Sequence, residues 1–461
     1  MLAILASGCE WTGTNPAYTS AELSHHFAQS GTRYVITDRS HLDVVDGAIN
    51  SSGRNIQVIL FTDIASERPP KEDDHCGHGN IRLNTLYDLL TQSDESILRK
   101  RLRAIPSHAP ATVMSTSGTT GLPKMVQRSH HSLVVETRGI QDNNSGKPYQ
   151  VRRLYSTPIF HAFSFPEMVI NSLRLGYQSF YMRRFDETFA RKVHDFGITE
   201  TMAAPAMLLR IVGRAEKDET ERLNLQTLQT VLCAGAPLAS QLRTSFLQLF
   251  DHGSTRVVQV WGMSEGGWFA TFRHPEHDNT GSVGRPLSGY QVRVSELSRV
   301  ELSDGRQAGE LFVKGLQLTT TYKGNLDATK ENFVDGWLRT GDIGYVKNGK
   351  IYLIDRAKDI IKVNGWTISP AELEAVLYQM PGILDAAALS YGTGTEEHAA
   401  IFVVGREPTL SKADVMKHLL DRVARFKVAT CEIHIADSVP RNPSGKILRR
   451  DLRQRLLVGG V

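Results

Sequence analysis

Between Ser115 and Lys124 the chain reads S-T-S-G-T-T-G-L-P-K, a short segment that combines five hydroxyl side chains, two glycines and one lysine. Glycine lets the backbone approach a ligand closely, and hydroxyl, ammonium and backbone N–H groups donate hydrogen bonds to phosphate oxygens. The segment is therefore a candidate phosphate-binding loop, although an ordinary glycine-rich turn would have a similar composition.

The loop lacks the spacing of P-loop NTPases. Their loop places four residues between its two glycines and a serine or threonine directly after its lysine, where the hydroxyl binds Mg²⁺. Here two residues separate Gly118 from Gly121, Pro123 precedes Lys124, and Met125 follows it. The spacing excludes a Walker-type nucleotide hydrolase.

Seven further motifs follow the loop in order. They are PIFHAF (158–163), CAGAP (233–237), VWGMSE (260–265), GSVGRP (281–286), GWLRTGD (336–342), DRAKDIIKVNGWTISPAELE (355–374) and RNPSGKILRR (441–450). Together with the loop they resemble the motifs of the adenylate-forming, or AMP-binding, superfamily, which includes acyl- and aryl-CoA ligases, luciferases and amino-acid-adenylating domains. The resemblance covers essentially the whole chain and is closest to 4-coumarate–CoA ligase-like enzymes.

This resemblance implies a two-step reaction that uses ATP, Mg²⁺ and CoA. A small-molecule carboxylic acid attacks the α-phosphorus of ATP, which gives an acyl-adenylate and pyrophosphate, and the thiol of CoA then displaces AMP. The first step brings two anions together, so it needs cations and hydrogen-bond donors. The predicted function is an acid–CoA ligase. Small and apolar residues around 203–207 and 235–237, with Phe163 and Phe165 nearby, favour a hydrophobic or aromatic acid.

The resemblance also implies a nucleotide site. The residues that it assigns to the phosphates and to AMP are Ser115, Thr116, Ser117, Gly118, Thr119, Thr120, Lys124, Gly235, Ala236, Pro237, Trp261, Gly262, Met263, Ser264, Asp342 and Arg356. Trp261 would stack on adenine, and Ser264 would contact the α-phosphate. Asp342 would accept hydrogen bonds from the ribose hydroxyls, with Arg356 beside it. Glu265 would be the metal ligand, because Mg²⁺ prefers oxygen; by itself, this residue is more simply a solvated loop carboxylate.

Besides Glu265, two residues are assigned catalytic roles by the same resemblance. Lys446, in the PSGK motif, would bridge the acid's carboxylate and the α-phosphate during adenylation. His161 would lie at the acid pocket and contact or gate the carboxylate. Without the motifs, a lysine in a basic C-terminal segment is usually solvated, and a lone histidine among aromatic residues is usually part of the core.

The second step implies a movement of the C-terminal region. Lys358 would be the hinge about which a small domain rotates after adenylation. That rotation would withdraw the catalytic lysine and present Lys362, Gly365 and Trp366 to the pantetheine arm of CoA. Gly365 would allow the backbone to approach that arm closely. Domain closure of this kind is a common way to separate the steps of a reaction.

The predicted fold class is α/β, because strand-like apolar runs alternate with amphipathic helical segments. A large N-terminal domain with several subdomains is expected over residues 1–356, and a small mobile α+β domain over 357–461. Strands are predicted at GITETMAAP, LQTVLCAGAP and TRVVQVWG, and a hairpin turn at Asn348-Gly349. Ser369 and Ser411 are predicted helix caps, with Glu372 and Asp414 closing capping boxes.

Composition and charge exclude several other classes of protein. The formal net charge is only +4 over 461 residues, which indicates no general affinity for nucleic acid. The four cysteines form no C-x-x-C pair, and no apolar run reaches the ~18 residues of a membrane helix. A cytoplasmic protein is expected, with no signal peptide and no C-terminal peroxisomal tripeptide. The first residues resemble a family segment that normally follows further strands and helices, so a shortened large domain is also expected.

Three alternative functions stay open. The chain could be an adenylating domain that loads a carrier protein in peptide or polyketide assembly, although amino-acid activators typically carry an aspartate where His161 stands. It could have a luciferase-like oxidative activity, since that class shares the adenylation motifs. It could also be a catalytically impaired remnant, which the shortened start favours and the intact Glu265, Asp342 and Lys446 oppose.

Overall fold

The computed structural model describes residues 1–61, 83–85, 94–116, 124–144, 146–296, 300–301, 306–363, 366–392, 398–406, 410–428, 431–441 and 446–458. Every helix in this part of the chain is too short or too polar to cross a membrane. The chain divides into two compact units: Met1–Val134 with Leu318–Glu331, and Val135–Gln317 with Asn332–Val461. A mobile small domain beginning at residue 357 stays a prediction.

The α-helices and β-strands of the described residues are numbered along the chain. The helices are α1 (Leu2–Ala6), α2 (Ser20–Ser30), α3 (Leu42–Ser52), α4 (Glu95–Ala104), α5 (His130–Asn144), α6 (Ser172–Leu175), α7 (Phe189–Asp195), α8 (Pro205–Ala215), α9 (Glu219–Asn224), α10 (Ser240–Leu247), α11 (Leu326–Asn332), α12 (Pro370–Leu377), α13 (Lys412–Leu420) and α14 (Arg449–Val458). The strands are β1 (Tyr34–Thr37), β2 (Gln57–Leu60), β3 (Leu83–Thr85), β4 (Pro110–Ser115), β5 (Met125–Ser129), β6 (Arg152–Tyr155), β7 (Gln178–Tyr181), β8 (Glu200–Ala203), β9 (Thr230–Cys233), β10 (Arg256–Gln259), β11 (Trp261–Met263), β12 (Gly267–Thr271), β13 (Arg285–Pro286), β14 (Tyr290–Val294), β15 (Val300–Glu301), β16 (Gln307–Gly315), β17 (Phe333–Val334), β18 (Trp337–Lys347), β19 (Lys350–Arg356), β20 (Ile361–Val363), β21 (Trp366–Ile368), β22 (Ile383–Tyr391), β23 (His398–Gly405) and β24 (Glu432–Ile435).

The first unit combines a small parallel sheet with an antiparallel strand pair. Strands β1, β2 and β3 pair in that order and in parallel, and Phe27 of α2 and Leu42 of α3 pack in one core with Val58 of β2. Helix α2 begins with a reciprocal capping box between Thr19 and Glu22. Strands β4 and β5 pair antiparallel and flank the candidate phosphate loop.

The second unit contains a five-stranded parallel sheet with the order β10-β9-β8-β6-β7. All residues of β8 and β9 are buried, as expected of central parallel strands. Leu208 of α8 and Phe246 of α10 pack against Val231 of β9 in one hydrophobic core. The three strands predicted here from sequence are confirmed. Their carboxyl ends lead into the segments beginning at residues 204, 234 and 260, and such ends are where α/β sheets usually bind ligands.

An antiparallel sheet follows, in which β18 and β19 form a hairpin. Its turn residues Asn348 and Gly349 have φ angles of 54° and 72°, as a type I′ turn requires, so the predicted Asn-Gly turn is confirmed. The far end of the hairpin places Asp342 directly opposite Arg356.

The C-terminal part of the chain is an α+β arrangement, as predicted. Strands β22, β23 and β24 form one sheet, and α12 and α13 pack on it through a core that includes Leu373, Val415 and Ile401. Ser369 caps α12 by accepting a hydrogen bond from the N–H of Glu372. The Glu372 carboxylate bonds Lys427, so the side chain that was expected to close a capping box forms an ion pair.

Candidate active site

Asp342 is the centre of a polar cluster at the open end of the β18–β19 hairpin. Its side chain is nearly buried; Oδ1 lies 2.7 Å from Nε of Arg356, and Oδ2 accepts a 2.8 Å hydrogen bond from Nε1 of Trp261. Arg356 Nη1 also donates to the carbonyl of Thr340 over 3.1 Å. The antiparallel register explains the ion pair, since it places the two residues face to face. Sequence reasoning assigned these three side chains to one nucleotide site, and the structure brings them together.

Trp261 packs against Phe269, a contact that the sequence did not reveal. The residue is only 4% exposed, and its ring meets Phe269 edge-on at 5.2 Å between ring centroids. Little of the ring surface is therefore open for the predicted stacking on adenine. Its indole N–H fixes one oxygen of Asp342.

Lys446 lies in the same region. Burial, the largest cause, and the positive charges of Arg356 and Lys358 lower the pKa of its ammonium group to about 8, while Asp359 and Asp342 act in the opposite direction. These neighbours place Lys446 within electrostatic range of the Asp342–Arg356 pair. The sequence predicted a lysine that meets the nucleotide, and this position fits that role.

His161 also lies within electrostatic range of Lys446. Burial lowers the pKa of the imidazole to about 4, and the nearby Lys446 ammonium contributes to this shift. Nδ1 accepts a 3.3 Å hydrogen bond from the backbone N–H of Phe163. The neutral ring therefore carries its proton on Nε2, which can donate a hydrogen bond to an anionic group.

Ser264 and Glu265 occupy the tight turn between β11 and β12. Gly262 and Gly267 make this turn possible: a Cβ atom on Gly262 would lie 2.1 Å from the carbonyl oxygen of Gly267, and Gly267 itself has a φ of +79°. Glu265 is buried. Mg²⁺ is commonly held by one or two carboxylates together with substrate phosphates, so a single buried carboxylate fits the predicted metal role. Met263, the other residue of this motif, is partly buried at the end of β11.

Two residues near the site were missed by sequence reasoning. Glu136 accepts a 3.1 Å hydrogen bond from the backbone N–H of Trp268, and the Trp268 indole donates to the carbonyl of Phe163 over 2.9 Å. The rings of Phe163 and Trp268 also stack at 5.7 Å. These contacts join the segment that carries His161 to the turn that carries Glu265. The only signal in the sequence was the position of Trp268, three residues after Glu265.

The candidate phosphate loop belongs to the first unit, where its two ends are held together. The Thr116 N–H donates to the Lys124 carbonyl over 2.8 Å, and the Lys124 N–H donates to Oγ1 of Thr116 over 3.0 Å. Lys124 Nζ lies 5.0 Å above the Tyr322 ring. Ser115 ends β4 just before this closure. The predicted phosphate ligands Ser117, Gly118, Thr119 and Thr120 lie outside the described residues.

The remaining predicted residues are only partly described. Gly235 and Pro237 are exposed and Ala236 is half-buried, directly after β9, and Gly235 has a φ of +96°. Lys358 is exposed just beyond β19. Of the predicted CoA-binding residues, Lys362 lies on β20 and Trp366 begins β21, where it pairs with Val363, while Gly365 lies outside the described residues.

This arrangement of a parallel sheet with loop segments at its carboxyl ends defines an α/β protein with a ligand site at the usual place. Residues 1–323 match the family model described as AMP-binding enzyme. The chain belongs to this family, and the superfamily predicted from its motifs is confirmed.

Individual relatives agree with this assignment. The chain is 71% identical over 456 residues to the acyl-CoA ligase M9 of Phoma sp., covering 99% of this chain and 84% of that protein. It is 33% identical over 477 residues to the phenylacetyl-CoA ligase epaB of Aspergillus niger, again covering 99% of this chain and 84% of that protein. Among solved structures, the anthranilate CoA ligase AuaEII in complex with anthranoyl-AMP has a TM-score of 0.78 at 18% identity, covering 98% of this chain and 84% of that one. That likeness confirms the α/β fold.

Proposed function

We propose that the chain is an ATP-dependent acid–CoA ligase that activates a hydrophobic or aromatic carboxylic acid. The observation that carries this proposal is the grouping of Lys446 and His161 with the Asp342–Arg356 pair. The ligase activity is also supported by the acyl-CoA ligase M9, with which the chain shares most of its residues. The more distant relative named as a phenylacetyl-CoA ligase supports an aryl acid.

In the first step the acid's carboxylate would attack the α-phosphorus of ATP. The protonated Lys446 would bind both the carboxylate and the α-phosphate, which reduces the repulsion between the two anions as the new bond forms. His161 would donate its Nε2–H to the carboxylate and hold it in line for attack. Asp342 would accept hydrogen bonds from the ribose hydroxyls, because a carboxylate has about four lone-pair sites and only some are used by Trp261 and Arg356.

Charge then moves onto the leaving pyrophosphate. The hydroxyls of Ser115 and Thr116 and the ammonium of Lys124 would bind its oxygens. Glu265 would hold Mg²⁺, which when bound neutralises part of the phosphate charge. In the second step the thiolate of CoA would attack the acyl carbonyl carbon, and AMP would leave with the electron pair of the broken acyl–oxygen bond.

Pyrophosphate release and CoA-thioester formation, measured with a panel of acids, test this proposal. The panel should include phenylacetate, a cinnamate, a medium-chain fatty acid and an amino acid, each with and without CoA. We expect ATP-dependent pyrophosphate release with an apolar or aryl acid and stoichiometric thioester and AMP when CoA is present. If the amino acid were the one member of the panel that gave pyrophosphate release, the proposal of a hydrophobic or aromatic acid would be contradicted. Release without any thioester would contradict CoA as the acceptor.

A further inference from the structure

Hydrogen bonds and ion pairs, joined by the backbone of α12, link Asp342 to the segment that carries Lys446, and Asp355 is one of the groups that they involve. Asp355 lies beside Arg356 near the end of β19 and is largely buried. We propose that Asp355 is a positioning residue, which holds the chain beyond Lys358 in the orientation that brings Lys446 to the nucleotide. This inference rests on the proposed function, which assigns Lys446 to adenylation, and on the prediction that Lys358 is the hinge.

Asp355 takes its hydrogen bonds from both sides of Lys358. On its own strand, Oδ1 accepts a 2.8 Å hydrogen bond from the N–H of Arg356. Oδ2 accepts two more, from Oγ of Ser369 over 2.8 Å and from the N–H of Ala371 over 2.9 Å. Ser369 and Ala371 form the start of α12. Any rotation about Lys358 moves these two donors relative to Asp355, so both bonds must break.

The same helix continues the connection towards Lys446. Glu374 of α12 accepts a 2.6 Å hydrogen bond from Nη2 of Arg449 and a 2.9 Å hydrogen bond from the N–H of Ala388. Arg449 also donates from Nε to the carbonyl of Ala388 over 3.0 Å. Arg449 begins α14, three residues after Lys446. The contact of α12 with Arg449 therefore helps to hold the segment that carries Lys446.

In the other direction, Asp355 is connected to Asp342, the proposed ligand of the ribose. Its neighbour Arg356 forms the ion pair with Asp342. Asp355 is thus one connection between the residues on the two sides of the predicted hinge, beside the apolar packing of Ile360 with Ile343 and Tyr345. A buried acceptor with donors from the helix that follows the hinge is suited to holding one orientation.

Asp355 depends on its hydrogen-bond donors in this buried position. Burial raises the pKa of its carboxyl, while Arg449 and the donors from Ala371, Arg356 and Ser369 oppose this rise. A buried carboxylate that loses its donors is destabilised unless water replaces them. Rotation about Lys358 would separate this carboxylate from Ser369 and Ala371, so water or other contacts would have to replace these two hydrogen bonds.

The test compares the two half-reactions in the full-length Asp355→Ala variant. We expect acid-dependent pyrophosphate release to fall about 10- to 100-fold, because small displacements of a catalytic group have effects of this size. Thioester formation from preformed acyl-adenylate and CoA, which does not use this orientation, should stay within about twofold of the wild type. Equal loss in both half-reactions, or no loss in either, would overturn the inference.

Glu372→Gln is the matched control. Glu372 lies on α12, the helix whose start binds Asp355, and forms an ion pair with Lys427. Both of these residues follow Lys358 in the chain. Loss of this ion pair should leave the ratio of the rates of adenylation and thioester formation unchanged. If Asp355→Ala does not fold, as judged by thermal melting, Asp355→Asn keeps one acceptor oxygen and should show the same selective loss to a smaller extent. Absence of pyrophosphate release by the wild type with every acid would instead refute the proposed function.

Discussion

The indole N–H of Trp261 donates a 2.8 Å hydrogen bond to Oδ2 of Asp342, while Arg356 lies 2.7 Å from Oδ1 of the same carboxylate. The proposed ribose ligand is therefore fixed from two directions before a nucleotide binds. Preorganised side chains of this kind lose little conformational entropy when the ligand arrives. The tryptophan thus orients the Asp342 carboxylate, whereas its buried ring offers little surface for stacking on the base.

Trp261→Phe should raise the KM for ATP about 5- to 30-fold with a smaller effect on kcat. The variant keeps an aromatic ring but removes the N–H donor, and losing ~1–2 kcal/mol of orientation energy corresponds to this range. Steady-state kinetics of pyrophosphate release at varied ATP would measure it. An unchanged KM would show that Arg356 alone orients Asp342.

Lys446→Ala should abolish acid-dependent pyrophosphate release but largely spare thioester formation from preformed acyl-adenylate. The reason is that the ammonium group is needed only where the carboxylate meets the α-phosphate. Rapid-quench measurements of the two half-reactions provide the comparison. Comparable losses in both would argue against two orientations of the C-terminal region.

The first half-reaction should depend on pH through Lys446. Its pKa is lowered to about 8, and the charged form is the active one, so kcat/KM for adenylation should fall as the pH rises through about 8. His161, with a pKa of about 4, stays neutral above pH 5 and should add no inflection near pH 6.5. A profile that is flat up to pH 9.5 would exclude an essential lysine with this pKa.

Glu265→Gln should weaken the dependence of adenylation on Mg²⁺. The amide keeps the size of the side chain but removes the negative charge that attracts a hard cation. Titrating pyrophosphate release with Mg²⁺ at fixed ATP should show a higher half-saturating concentration. An unchanged titration would remove Glu265 from the metal site.

Gly267→Ala should destabilise the protein by at least ~1–2 kcal/mol and disturb the Glu265 turn. Gly267 has a φ of +79°, and an added Cβ would lie 1.7 Å from Oε1 of Glu136. Gly213→Ala in α8 is the control, because no atom lies within 4 Å of its Cβ position. That control should stabilise the helix by up to about 1 kcal/mol. Thermal melting of both variants would decide; equal melting temperatures would contradict this account of the turn.

Much of this fold could be predicted because local signals agree with the tertiary structure. The Asn348-Gly349 turn and the Ser369 cap follow from local chemistry, and the buried strands β8 and β9 follow from apolar runs. Contacts between distant residues were beyond such signals. The bond from Trp261 to Asp342 joins residues 81 positions apart, and that from Trp268 to Glu136 joins residues 132 apart. The roles of individual site residues stay predictions, since they depend on ligands and movements.

The parallel sheet has a consequence for how this enzyme could change over evolution. The central strands β8 and β9 are buried throughout, whereas the exposed Gly235 and Pro237 come just after β9 ends. Under the proposed function, substitutions in these connecting segments would alter the preferred acid while the buried strands keep their packing. The product of a duplicated gene could therefore acquire specificity for a new acid through a few surface substitutions, with little loss in the yield of folded protein.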